Sequence, residues 1–142
     1  MYYTSFTMKS LWKSALLAAI LASVANIALL FIGKSFVSVP DTFKPLSVPP
    51  VILWSVLGTI GATLTYLVIR RVATNADRVF LGVAGVMLVL SFIPDYMLKG
   101  IPAGTMFGGA SMGAIYLLMS MHVVAASIIV WLLLRSPVPT NS

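Results

Sequence analysis

The chain has 142 residues, of which 60% are hydrophobic and only 8% charged, with a net charge of +6 and no cysteine. Soluble domains carry about 25% charged residues, so this composition excludes a soluble fold, and the lack of thiols excludes disulfides, thiolate metal sites and cysteine nucleophiles. The nine Lys and Arg are scattered instead of lining one face, which argues against a nucleic-acid partner and makes them topology signals in a lipid bilayer.

About 20 apolar residues in a helix cross the hydrocarbon core, and four segments meet that length. The first, "WKSALLAAILASVANIALLFI", runs from about Trp12 to Ile32. Its opening also reads as a secretory signal, with Ser23 and Ala25 framing a cleavage point before Asn26. The apolar run continues through "NIALLFI", longer than a signal core, and a retained helix is expected. The connection "GKSFVSVPDTFKPLSVPP" holds four prolines, too many for a helix, and reads as a loop over residues 33–50 lying on the bundle or the headgroups. The second span is Val51–Ile69 and the third Val79–Leu98, joined by the short basic loop "RRVATNADR", so these two helices are expected to be antiparallel neighbours. The fourth ends at Leu134. A helix starting at Gly104 would run roughly 46 Å, too long for an untilted span. "GIPAGTMFGGASMG" is therefore expected to hold a turn, with the helix over 112–134.

The expected fold is an all-α four-helix transmembrane bundle in one integral membrane domain over residues 1–142. With four spans, Lys9, Lys13, Arg70, Arg71, Arg78 and Arg135 share one side. Lys34, Lys44 and Lys99 share the other, offset by Asp41 and Asp95. The positive-inside rule then puts both termini in the cytoplasm of a bacterial inner membrane. Trp12 and Trp131 fall near one interface and Trp54 near the other, as an aromatic belt requires. The N-terminal "MYYTSFTMKSLWK" suits an interfacial anchor beside anionic lipid. The second half does not repeat the first, so the inverted-repeat transporter pattern is absent.

His122, the only histidine, falls about 15 Å into a helix that starts near Met112, close to the bilayer midplane. An ionisable group at that depth is a functional candidate. One reading is structural, a neutral imidazole bonded to a hydroxyl, amide or backbone group on another helix. Ser23, Asn26, Thr59 and Thr63 lie at matching depths. The other reading is an axial ligand to a haem or another tetrapyrrole pigment, or a proton-handling group; Ala125 and Ala126 leave room for a flat ring and equally permit close helix packing. Asp95, after Pro94, is most simply an interfacial ion pair with Lys99; pairing with His122 requires an open outer half of the bundle. Gly58, Gly61, Gly82, Gly85, Gly109 and Gly113 offer small surfaces for close helix approach, within the chain or against a partner. One His and three Asp make a poor catalytic inventory, so neither an enzyme nor a protein-built metal centre is expected.

The opening "SLWKSALLAAILASVANIALLFIGKSF", the basic loop and the last helix "LLMSMHVVAASIIVWLLLR" resemble a family of small bacterial four-helix membrane proteins of unknown function. The resemblance spans essentially the whole chain, and Met121–Ala126 is its most distinctive stretch. It implies the fold and a place for His122 in the family pattern, but no catalytic or binding residue. Small four-helix multidrug exporters resemble the chain in length, but that likeness implies a glutamate in the first helix, and this chain has no glutamate. Without a soluble domain, the expected role is that of an accessory or structural subunit of a larger membrane complex. The alternatives are a binding module for a pigment, haem, quinone or lipid at His122, and, ranked lower, a small transporter.

Overall fold

The computed structural model describes residues 2–136, the first six of them as backbone only. The N-terminal anchor expected from the aromatic residues falls, through Thr7, outside the described side chains, and the tail after Ser136 lies outside the described residues. Four helices form the fold: α1 (Tyr2–Phe36), α2 (Val48–Val72), α3 (Ala76–Met97) and α4 (Met112–Leu134). Each is long and apolar enough to cross a membrane, and no strand occurs among the described residues.

Local chemistry sets the helix ends. Helix α2 begins at Val48, upstream of the apolar run, because Pro49 and Pro50 fall in its first turn, where the missing N–H groups have no intrahelical acceptor to lose. Helix α4 begins where Ser111 caps it, its hydroxyl accepting from the Ala114 N–H at 3.1 Å. Helix α3 carries Pro94 in its last full turn and gives way to a 3-10 turn at Leu98–Gly100.

Helices α2 and α3 are joined by a three-residue turn. There the Tyr66 hydroxyl donates to Asp77 at 2.7 Å, the Tyr66 and Phe80 rings lie 4.7 Å apart, and the Arg70 guanidinium sits 5.4 Å from the Tyr66 ring. This end of the bundle also carries Lys9, Lys13, Arg71, Arg78 and Arg135, and is called the basic end below.

At the opposite, loop end, the two long connections hold each other. The Lys44 N–H donates to the Met106 carbonyl at 2.9 Å, and the Ser111 hydroxyl to the Ser38 carbonyl at 2.9 Å. Phe43 and Leu46 are buried beneath them, so the proline-rich connection plugs the bundle as well as covering it. Gly109 adopts φ +75° and Gly104 φ +96°, backbone conformations that favour glycine.

The core is split into two apolar clusters. At the basic end Leu11, Ala15, Ala18 and Ala22 of α1 meet Tyr66, Ile69, Phe80, Ile129 and Leu133. At the loop end Leu30, Phe43, Leu46 and Val51 meet Ala114, Leu117, Leu118 and Met121. Between them the buried positions of α1 and α2 turn polar, with Ser23 and Asn26 facing Ser55, Thr59 and Thr63.

Within the chain, the glycine surfaces are used unevenly. A Cβ on Gly58, Gly61, Gly82 or Gly85 would meet nothing within 4 Å. Those residues lie on the outward faces of α2 and α3; on α2 the inward face is taken by Ser55, Thr59 and Thr63. The tight contacts are elsewhere. Gly113 lies against Val37, Gly33 against the Leu117 side chain, and the fully buried Ala18 and Ala22 fill the seams of α1. Gly109 serves the loop backbone instead of a helix contact.

Candidate functional site

His122 projects from α4 ten residues after Met112, about 15 Å along the helix axis. The inward positions on either side of it belong to Leu118, Met121 and Ile129, so the imidazole sits on the flank of α4 that faces α3, with its side chain 40% exposed. Opposite it, in the last turn of α3, stands Asp95, which is only 7% exposed.

The two side chains meet. His122 Nδ1 lies 3.0 Å from Asp95 Oδ2 and 3.0 Å from the Leu118 carbonyl oxygen one turn back on its own helix. Both neighbours are acceptors, so Nδ1 carries a hydrogen. A bare lone pair there would be repelled from both sides. That hydrogen is aligned with the Leu118 carbonyl, and Asp95 Oδ2 approaches off that axis as a charge contact with no aligned donor of its own. The other ring nitrogen, Nε2, is bonded by no described residue.

The sequence places Asp95 most simply beside Lys99, and the structure corrects this. Asp95 pairs with His122, while the Lys99 ammonium sits 5.7 Å from the Tyr96 ring. Its position explains the change. An acidic side chain in the last turn of a helix opposes the helix dipole by about 0.3–1 kcal/mol, and burial withdraws it from water. The imidazole is the cationisable group within reach. The expectation of a hydroxyl, amide or backbone partner on another helix is corrected in the same way. The cross-helix partner of His122 is a carboxylate, and its backbone acceptor lies on α4 itself.

The other predicted polar residues form a separate layer. The Asn26 amide donates to the Ser55 hydroxyl at 3.2 Å across α1 and α2. Thr59 and Thr63 donate back to carbonyls of their own helix, Ser55 at 2.8 Å and Thr59 at 2.7 Å. These two therefore make no interhelical bond. Ser23 Oγ and Asn26 Oδ1 are buried with no partner. Sequence reasoning missed Ser55, although Ser55, Thr59 and Thr63 recur at a four-residue spacing and so share one helix face. It also underweighted the pairing of Asp95 with His122, because Lys99 is the cation nearer in sequence.

No group of three His, Cys, Asp or Glu that could hold a metal ion occurs among the described residues. The arrangement can bind one ligand atom, or hold one proton, at Nε2. It does not assemble a nucleophile with a base.

Four helices long and apolar enough to cross a bilayer define a multi-pass membrane protein. The chain belongs to a family of unknown function (DUF6069), whose family model matches residues 6–138. No curated protein and no solved structure matches it.

Proposed function

We propose that this chain is a non-catalytic accessory subunit that packs sideways against another membrane protein through α3. The observation that carries the reading is the isolation of that helix. Only 6% of the most apolar eighteen-residue window of α3 is buried against the rest of the chain, against 28–33% for the other three helices. Its outer face holds a shallow recess of about 350 Å³ lined by Val79, Gly82, Val83, Val86 and Met87. Helices in lipid associate where small residues let backbones approach closely, and two glycines with nothing within 4 Å of their missing Cβ atoms are open for that use. The six-to-three division of cations supports a bacterial inner membrane with both termini cytoplasmic.

The test is a photo-cross-linking residue at Met87, with a control at Leu17 on the exposed face of α1, in cells carrying the native gene neighbourhood. A single protein adduct from Met87, absent at Leu17 and abolished by Gly82→Leu without loss of the folded chain, is expected. Lipid adducts alone at both positions would refute the reading.

A further inference from the structure

We propose that the basic end of the bundle selects net-anionic phospholipids, with Arg135, stacked on Trp131, as one headgroup seat. The inference begins with charge. All four helices bring cations to this end: Lys9 and Lys13 on α1, Arg70 and Arg71 on α2, Arg78 on α3 and Arg135 at the end of α4. Among the described residues one carboxylate stands with them, Asp77, and it accepts from the Tyr66 hydroxyl at 2.7 Å. None of these cations has a carboxylate within ion-pair distance among the described residues, where the one such contact is His122–Asp95.

Membrane topology alone does not ask for this. The positive-inside bias counts Lys and Arg and is nearly indifferent to acidic residues, so it leaves this end free to carry compensating carboxylates. Helix dipoles account for Arg70, Arg71 and Arg135 at helix C-termini. Arg78, however, is in the first turn of α3, where the dipole opposes a cation. Cations with no partner inside the fold are matched by anions from outside. Where the helices leave the hydrocarbon, the resident anions are lipid headgroups.

Arg135 has the local geometry to hold one. Its guanidinium lies 4.4 Å from the Trp131 ring centroid, and a stacked guanidinium keeps its in-plane N–H donors free for the oxygens of a phosphate. Val123, Ser127, Trp131 and Arg135 follow at four-residue spacing, so they form one strip along α4, and each of them is exposed. The Ser127 hydroxyl is turned back on the Val123 carbonyl at 2.7 Å, which leaves the strip apolar up to the guanidinium. A ligand on Arg135 therefore carries an anionic head and an acyl chain that runs past Trp131, which a phospholipid has and free phosphate lacks. A zwitterionic headgroup brings its own ammonium to the same cations, so the preference goes to a headgroup of net negative charge, of the phosphatidylglycerol type.

The experiment is quenching of tryptophan fluorescence by brominated phospholipids in vesicles holding the full chain. Trp12→Phe/Trp54→Phe leaves Trp131 as the reporter. Trp12→Phe/Trp131→Phe leaves the exposed Trp54, toward the loop end, as the control. At Trp131, brominated phosphatidylglycerol should be favoured over brominated phosphatidylcholine by about fivefold, the share of one basic side chain at an anionic surface. Arg135→Gln should bring that ratio close to unity, and Trp54 should show no such preference. High salt, which needs no variant, should also erase it, since exposed charges are screened. Inorganic phosphate should leave the Trp131 ratio where a chloride control of equal ionic strength leaves it. A ratio near unity at Trp131, an equal preference at Trp54, or a ratio untouched by salt or by Arg135→Gln would each overturn the proposal. Loss of the preference in phosphate but not in chloride would overturn it too, by reassigning Arg135 to a free oxyanion. None of these readouts involves the outer face of α3, so this proposal and the accessory reading fail separately.

Discussion

Gly113 of α4 lies against Val37 at the end of α1, where an added Cβ would come within 2.7 Å of Val37 Cγ1. Valine is stiff at χ1, so the contact cannot be relieved by a swing of the side chain. Gly113→Ala should push α1 from α4 and lower stability by about 1–3 kcal/mol, the usual cost of overpacking. Gly85→Ala adds a methyl to open space and should be neutral or gain about 0.5–1 kcal/mol from reduced backbone entropy. Thermal unfolding in detergent separates the two, and equal midpoints would contradict the packing described above.

The Asn26–Ser55 bond at 3.2 Å joins α1 to α2, yet Asn26 Oδ1 is buried without a partner. Interhelical hydrogen bonds in membranes average about 0.6 kcal/mol, and the orphaned oxygen offsets part of that gain. Asn26→Leu should therefore change stability by less than about 1 kcal/mol. Asn26→Asp places a charge where no cation faces it and should be strongly destabilising. Steric trapping in bicelles measures both, and a large loss in the leucine variant would count against this balance.

The four spans were legible in the sequence because each is an apolar run of membrane length. The break before the fourth helix was legible as well, since an unbroken helix would have overshot the bilayer. Hydropathy carries no azimuth, and so the faces were not legible. Gly58 and Gly61 match a packing spacing, but they point outward because Ser55, Thr59 and Thr63 take the inner face of α2, and Gly82 and Gly85 of α3 are open as well. The helix-two boundary shifted upstream because prolines that break a helix interior fit its first turn. Asp95 was misassigned for a similar reason. Lys99 is near in sequence, but α3 ends between them, and Asp95 remains on the helix facing His122.

Orientation gives a separate prediction. Six cations gather at the basic end and three at the loop end. Reporter fusions after Arg71 and after Ser142 should therefore read cytoplasmic, and one at Asp41 external. A cytoplasmic signal at Asp41 would invert the assignment and leave the fold untouched.

The pair between α3 and α4 yields the last prediction. Removing one partner of a fully buried charge pair costs about 3–5 kcal/mol, because the other is left uncompensated, whereas removing both is often close to neutral; with the His122 side chain 40% exposed, solvent screening lowers that figure here. His122→Leu leaves Asp95 with no ion-pair partner among the described residues and should be destabilising by less than that range. His122→Leu/Asp95→Asn should recover most of the loss, since Asn brings no charge. Lys99→Ala should be silent, because its ammonium faces the Tyr96 ring instead of the carboxylate. A double-mutant cycle on unfolding in bicelles measures the coupling directly. Additive effects of His122→Leu and Asp95→Asn would show that the 3.0 Å contact carries no energy. A coupling of several kcal/mol would establish Asp95 as the reason this bundle can keep an imidazole at mid-membrane depth.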